Sequence, residues 1–258
     1  MGQKTNPVIF RAGIGNYEWD SVYEPNSREE SNFLLVLDLK IKNFLNRIFK
    51  INGFILCYCK TQYSEKELCI TVSCLNINFK KCLEQKLALK KLIVLQLNSS
   101  LQQLRCPIIK FNFKNLNINK QNYEEIASLK KSLRKFSSNP LLETLLETTL
   151  LSISEKNGAK LLADLLALEL KNIREQNRVF FILKNILLNL IEIKSINVKG
   201  IKIVMNGRFG KAPRARKRVL TVGNVPLQTI TSNISYSQSI CYTANGTIGI
   251  NVFICKNR

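Results

Sequence analysis

The sequence contains no histidine among its 258 residues. This absence excludes a Ser-His-Asp triad, a Cys-His nucleophile pair and any metal site that uses imidazole ligands. Eight cysteines are present, but no pair has the CxxC spacing that is typical of a zinc site. Cys57 and Cys59, two apart in a predicted strand, are expected to share a face. We expect buried thiols, no metal and no cofactor, with a cysteine-ligated metal or cluster as the alternative.

Carboxylates are absent from residue 193 to residue 258, where 11 Lys and Arg contribute to a net charge of +21 for the whole chain. Eight of these cations fall within residues 199–220. Ordinary protein surfaces interleave both signs, so this imbalance favours a polyanionic partner, first of all nucleic acid. The alternative is a solvated run of charge. Within the run, the loop Asn206–Gly210 carries two glycines, and we expect it to bring backbone N–H groups near phosphates.

Long apolar runs are also missing. The most apolar segment, residues 179–193, is interrupted by Lys184, Asn185, Asn189 and Glu192. It falls short of the roughly 20 apolar residues that cross a bilayer, so we expect no membrane partner. With 258 residues and 45% apolar composition, the chain can fold as two modest domains.

Apolar spacing along the first half predicts a small mixed domain. Helices are predicted at Phe33–Lys50 and at Phe79–Leu97. In the first, the apolar residues at helical spacing are Phe33, Val36, Leu37, Ile41, Phe44, Leu45 and Ile48. Strands are predicted at Phe54–Lys60, Glu67–Leu75 and Pro107–Phe113. The order α-β-β-α-β is that of a KH-type RNA-binding unit. We divide the chain into an arm (1–31), a KH-like domain (32–113), an inserted helical segment (114–157) and a C-terminal domain (158–258).

The inserted segment is expected to hold one helix around residues 126–136 and a second that begins with Pro140 in its first turn. The C-terminal domain is expected to pair a helix with the stripe Leu161, Leu165 and Leu168 against one with the stripe Phe180, Leu183, Leu187 and Leu190. Strands follow, and Asn245–Gly246 predicts a type I′ hairpin turn. The fold class is therefore α+β, with an antiparallel sheet backed by two helices.

Several short motifs resemble the bacterial and organellar branch of the small-subunit ribosomal protein S3 family. They are MGQKTNP at the start, AKLLAD at 159–164, RVFF at 178–181, KGIKI at 199–203, NGRFG at 206–210, VPL at 225–227 and NGTIGINVFI at 245–254. The resemblance implies a type II KH domain followed by an α+β domain. It also implies a structural place on the head of the small ribosomal subunit, not an enzyme. The implied partners are rRNA, mRNA where it enters the subunit, and neighbouring head proteins, with no homo-oligomer.

The resemblance also carries residue roles onto this chain. The implied rRNA contacts are Gln3, Lys4, Arg11, Lys199, Lys202, Arg208, Lys211, Arg214, Arg216, Lys217 and Arg218. The implied contacts to entering mRNA are Arg174, Arg178 and Lys184.

Two departures from the family pattern stand out. A KH domain grips nucleotides with a GxxG loop, yet no glycine lies between Gly53 and Gly158. The family also has basic residues directly after the RVFF-like motif, where this chain has Ile182 and Leu183. Together with a bias towards Lys, Asn, Ile and Leu, these departures suggest a mitochondrial ribosome over a plastid one. The alternative function is a free-standing KH-like RNA-binding regulator; a carboxylate-and-metal nuclease is disfavoured because the basic region lacks acids.

Overall fold

The computed structural model divides the chain into two compact units. The described residues are 4–13, 19–64, 67–76, 95, 108–116, 140–155, 157–173, 176–192, 198–210 and 212–257. One unit combines Met1–Tyr17 with Asn119–Arg258, and the other is Glu18–Ile118. The predicted helix at 79–97, apart from residue 95, and the one around 126–136 lie outside the described residues. The domain boundaries drawn from the sequence stay predictions.

The unit 18–118 contains the 24-residue helix α2, Arg28–Ile51. It begins where the side chain of Ser27 accepts the backbone N–H of Glu30 at 3.2 Å, and it ends before Gly53, whose φ is 75°. Its buried stripe recurs once per turn and packs on the sheet of this unit: Leu37, Ile41, Leu45 and Phe49. The helix therefore follows the predicted spacing, with a cap residue that the pattern had not singled out.

Two residues assigned to the apolar face of α2 lie outside the core. Phe33 and Val36 are 45% and 47% exposed. Val36 precedes Leu37 and so lies about 100° around the helix from the buried stripe. Phe33 lies one turn before the first buried member of that stripe. The apolar spacing therefore included two residues that are not part of the core.

The sheet of this unit has the order β1-β2-β3-β4. Its strands are β1 (Ser21–Val22), β2 (Phe54–Tyr63), β3 (Glu67–Asn76) and β4 (Ile108–Asn115). β2 and β3 are antiparallel, while β1 and β4 run parallel to their neighbours. The three predicted strands are present, and β1 adds a short fourth strand within the predicted arm.

The two closest cysteines do not follow the regular alternation that was predicted. The β2–β3 register shifts between Leu56 and Tyr58, so Cys57 is the extra residue of a β-bulge. Cys59 then belongs to the core cluster with Phe54, whereas Cys57 is buried outside that cluster. The shared face expected for the pair is wrong, because an inserted residue reverses the alternation. The six described cysteines form no disulfide.

Asp38 of α2 joins the short strand β1 to the rest of the unit. The carboxylate is 7% exposed and accepts the hydroxyls of Ser21 at 2.7 Å and Thr61 at 2.6 Å. It also pairs with Lys42 Nζ at 2.9 Å. A buried carboxylate needs such partners to compensate for lost hydration. Asp38 therefore fixes β1 and β2 to one turn of α2.

We expect Asp38→Ala to destabilise this unit by about 2–3 kcal/mol, because the buried hydroxyl of Thr61, the half-buried hydroxyl of Ser21 and the ammonium of Lys42 lose their acceptor. Hydrogen–deuterium exchange should rise first in Ser21–Val22. Arg47→Ala, which removes an exposed charge from the same helix, serves as the control. Unchanged exchange in β1 of the Asp38 variant would contradict this role.

Within its described residues, the second unit contains four helices and an antiparallel sheet. The helices are α1 (Pro7–Phe10), α3 (Pro140–Ser154), α4 (Gly158–Asn172) and α5 (Gln176–Glu192). The strands are β5 (Val198–Gly207), β6 (Arg216–Gly223), β7 (Asn233–Thr243) and β8 (Gly246–Lys256), in the order β6-β5-β8-β7. The expected α+β class, with an antiparallel sheet backed by helices, is confirmed. No helix within the described ranges is long and apolar enough to cross a membrane.

Strand alternation and helical spacing meet in one core. Ile201, Ile203 and Met205 of β5 and the even-numbered residues of β8 from Ile248 to Ile254 are each at most 1% exposed. They share a cluster with the predicted stripe of α5, in which Leu183, Leu187 and Leu190 are buried and Phe180 is half-buried. This core fixes the position of β5 and α5, the two elements that carry the loop described below.

Two local predictions in this unit are wrong. Leu168 is 40% exposed, and the face of α4 that joins the core contains Leu162, Leu166 and Leu170 instead. Helix α4 is apolar on more than one side, so its sequence did not single out the core stripe. The β7–β8 hairpin pairs Thr243 with Gly246, so its two loop residues precede that glycine. Gly246, with φ at 131°, instead begins β8.

Candidate nucleic-acid interface

Strand β6 distributes the predicted cations over both faces of the sheet. It lies at one end of the strand order, and Met205, Asn206 and Gly207 of β5 pair with Arg218, Lys217 and Arg216. Met205 is a core residue, so alternation places Arg218 on the helix side of the sheet and Lys217 on the opposite side. We call Arg208, Arg214, Arg216, Lys217 and Arg218 the cationic edge.

Most of the cationic edge is exposed, namely Arg208, Arg214, Arg216 and Lys217. None of these four side chains makes an ion pair within the part of the chain that the structure describes. Uncompensated cations at an exposed strand are suited to bind phosphates.

Arg218 differs from its neighbours because two aromatic rings hold its guanidinium. The guanidinium carbon lies 4.8 Å from the ring centre of Phe209 and 5.8 Å from that of Phe180. Phe209 is 6% exposed and belongs to the core cluster. A cation over a ring face is attracted by the ring quadrupole. Arg218 therefore connects the cationic edge to the hydrophobic core.

The loop that joins β5 to β6 is held by side chains from two distant segments. The N–H of Gly210 donates to Gln176 Oε1 at 3.1 Å, and its carbonyl accepts Asn245 Nδ2 at 2.7 Å. Within the loop, Arg208 Nε donates to the carbonyl of Ala212 at 2.6 Å. The Gly210 N–H thus already has an acceptor within the protein. For the other N–H groups of the loop, proximity to phosphates stays a prediction. The side chains of the loop remain to contact an anion.

Gly207 is required where β5 passes close to β8. A Cβ at this position would lie 2.7 Å from the carbonyl oxygen of Thr247 and 2.8 Å from Cα of Ile248. Both neighbours are backbone atoms, which cannot move away as a flexible side chain can. The glycine therefore keeps the start of the loop in register with β8.

We expect Gly207→Ala to destabilise the protein by about 1–3 kcal/mol, since overpacking forces β5 and β8 apart. Thermal unfolding of purified protein measures this change. Gly246→Ala is the comparison, because nothing lies within 4 Å of its Cβ position and only its φ of 131° is strained. An equal melting temperature for Gly207→Ala and the wild type would overturn this reading.

The other residues predicted to bind rRNA are scattered. Lys4 and Lys199 are exposed, and Lys202 of β5 is half-buried. Gln3 and Lys211 lie outside the described residues. Lys202 pairs with Thr221 and lies on the same face of the sheet as Lys217. The structure thus relates Lys202 to the cationic edge through β5 and β6.

Arg11, an rRNA contact implied by the family resemblance, is buried. It is 7% exposed, and its Nη2 lies 2.9 Å from the carbonyl oxygen of Leu227 and 2.7 Å from that of Thr229. Longer contacts reach Pro226 at 3.3 Å and Ser232 Oγ at 3.2 Å, while Nη1 donates to the Pro7 carbonyl at 2.8 Å. Burial lowers the pKa of this guanidinium. Its donors bind backbone carbonyls, so Arg11 fixes the segment around α1 within its unit.

The residues predicted to contact mRNA are only partly described. Arg174 lies outside the described residues. Arg178 belongs to α5, but only its backbone is described. Lys184 is exposed, three residues from Phe181, whose side chain is 56% exposed. Ile182 and Leu183, which stand where the family has basic residues, are 4% and 0% exposed. These two positions face the core.

The sequence pattern did not single out Gln176, and it singled out Asn245 only as part of a family motif and of the predicted hairpin turn. They contact Gly210 from 34 and 35 residues away, and neither belongs to a charge run or an apolar period. A local pattern carries no signal for such long-range contacts. Their role is visible only in the folded unit.

Comparison with known proteins agrees with this geometry. Residues 184–254 match the family model described as "Ribosomal protein S3, C-terminal domain", a range that includes β5, the loop and β6. Three relatives named "Small ribosomal subunit protein uS3" each align with 99% of the chain. The relative from Aquifex pyrophilus is 27% identical, and the alignment covers 89% of its length. The relative from Orientia tsutsugamushi is 28% identical, and the alignment covers 94% of its length. The relative from Mycoplasmopsis agalactiae is 28% identical and 96% covered.

The family model covers the cationic edge, and the relatives extend the likeness over both units. The resemblance inferred from short motifs is therefore confirmed over nearly the full chain. The chain is thus similar to the ribosomal protein S3 family over both of its units.

Proposed function

We propose that this protein is a structural component of the small ribosomal subunit and binds rRNA through the cationic edge. The observation that carries the proposal is the exposed, acid-free cationic edge within the range matched by the family model. Lys and Arg neutralise phosphates and release counterions, which supplies affinity without reading base sequence. The protein acts by anchoring RNA structure and not by catalysis.

The C-terminal sheet supports this mechanism because it is rigid where the cations begin. Arg216 and Lys217 pair with Gly207 and Asn206 of β5, and the neighbouring residue Met205 is buried in the core. A cation on an ordered strand loses little backbone freedom when it binds a phosphate. The edge can therefore bind folded RNA without first becoming ordered.

Density-gradient sedimentation of tagged full-length protein tests the proposal. A structural component should sediment with small subunits and stay there after a moderate salt wash. A free-standing RNA-binding regulator should leave the subunit fraction in that wash, because it lacks a defined place in the particle. Quantitative recovery at the top of the gradient would refute the ribosomal role.

We further propose that the particle belongs to a mitochondrial ribosome and that the protein lies on its head, near the point where mRNA enters. The compositional bias towards Lys, Asn, Ile and Leu supports an organellar gene. The family resemblance supports the position on the head near the mRNA entry. Arg174, Arg178 and Lys184 are the proposed mRNA contacts. Crosslinking of mRNA to subunits from isolated mitochondria tests both points. Plastid-only recovery refutes the compartment, and crosslinks that avoid α5 refute the contact.

A further inference from the structure

The described residues of the β5–β6 loop, 208–210 and 212–215, are held by contacts from outside the loop. One residue, Gly210, uses both of its backbone polar groups, since Gln176 accepts its N–H at 3.1 Å and Asn245 donates to its carbonyl at 2.7 Å. Phe209 lies beneath the guanidinium of Arg218, with 4.8 Å between that group and the ring centre. The loop is therefore attached to helix α5, to the β7–β8 turn and to strand β6.

Gln176, which accepts the N–H of Gly210, is itself buried. It is 5% exposed and is the first residue of α5, a helix whose residues Val179 and Leu183 are completely buried in the core. A buried amide without a partner is costly, so its bond to Gly210 is well determined. Gly210 has φ at 59°, a left-handed conformation that glycine adopts without strain.

The fixed backbone determines where the two arginines of the loop can reach. Arg208 Nε is occupied by the carbonyl of Ala212, which leaves the two terminal nitrogens of the guanidinium to face an anion. Arg214 is exposed in the same loop, before β6 begins. If Gly210 were released, both arginines would have to be ordered at the moment of binding, and affinity would fall.

We propose that Gln176 and Asn245 are positioning residues for rRNA binding, which hold the β5–β6 loop so that Arg208 and Arg214 meet phosphates. The proposal rests on the proposed rRNA-binding function. Both residues are uncharged, and neither affects the affinity for rRNA by touching RNA. The effect passes through the backbone of Gly210.

Binding of the full chain to small-subunit rRNA transcribed in vitro, with competitor tRNA and at several salt concentrations, tests the proposal. We expect Gln176→Met, which keeps the length of the side chain but removes the acceptor, to weaken binding about tenfold. The slope of log affinity against log salt should stay unchanged, because the number of neutralised phosphates is the same. Asn245→Ala should act in the same direction. It alters an exposed side chain, so it tests the proposal even if Gln176→Met does not fold.

A double-mutant cycle separates positioning from a merely structural role. In the background Arg208→Ala/Arg214→Ala, neither Gln176→Met nor Asn245→Ala should weaken binding further, since the residues they position are gone. Full additivity in this background, or unchanged affinity of the single variants, would overturn the proposal. Failure of the wild-type protein to bind rRNA above competitor would refute rRNA binding itself, a result distinct from either of these.

Discussion

Alanine at Arg208, Arg216 and Lys217 together is expected to stop the protein from assembling into the small subunit. Each of these exposed cations can make a charge-assisted hydrogen bond to a phosphate, which contributes about 1.5 kcal/mol. The loss of three such bonds weakens binding on the order of 1000-fold. Sedimentation of tagged protein with subunits gives the readout, and the slope of log affinity against log salt should become shallower by about 2–3.

A variant with the same loss of charge elsewhere is the matched control for this experiment. Lys40, Arg47 and Lys50 are exposed on α2, far from the cationic edge in sequence. Alanine at these three positions lowers the net charge by the same amount, so it should leave sedimentation nearly intact if position matters. Equal losses in both triple variants would show that net charge alone drives association. Normal sedimentation of the cationic-edge variant would refute the interface.

Replacement of Arg11 by alanine is expected to release the N-terminal segment and destabilise its unit by about 3 kcal/mol. The guanidinium donates to the carbonyls of Leu227 and Thr229 at 2.9 and 2.7 Å, and its removal leaves these acceptors without that donor. The effect should appear as a lower unfolding temperature. Limited proteolysis should then cleave within residues 4–13 at protease concentrations that leave the wild type intact.

Lys4→Ala is the control for Arg11, because it removes a neighbouring cation that is exposed. Arg11→Lys should be intermediate, since an ammonium keeps the charge but lacks the planar fork that reaches several carbonyls. An Arg11→Ala protein with wild-type stability and weaker rRNA binding would contradict the structural role. It would support the role as an rRNA contact that the family resemblance implies.

Much of the C-terminal sheet could be predicted from alternation alone. Ile201, Ile203 and Met205 were expected on one face of a strand, and all three are core residues of β5. The pattern works here because one face of the sheet is covered by helices, so burial follows a strict period of two. Helical spacing was less informative for α4, because the sequence of this helix is apolar on several sides.

The positions of single polar residues could not be predicted in this way. Arg11 and Arg216 are both arginines implied to bind rRNA, yet one is buried among carbonyls and the other is exposed. Their local sequences do not contain this difference. It depends on whether a distant segment, residues 226–232 for Arg11, folds against the side chain.

The sequence by itself determined the charge imbalance, the strand and helix periods and the family motifs, because each is a property of neighbouring residues. Only the tertiary structure decided which cations remain exposed and that Gln176 and Asn245 hold Gly210. It also decided that the bulge at Cys57 reverses the alternation of side chains between the two faces of β2. The physical reason is that hydrogen bonds and burial depend on atoms that are close in space. The partners of Gly210 lie 34 and 35 residues away along the chain.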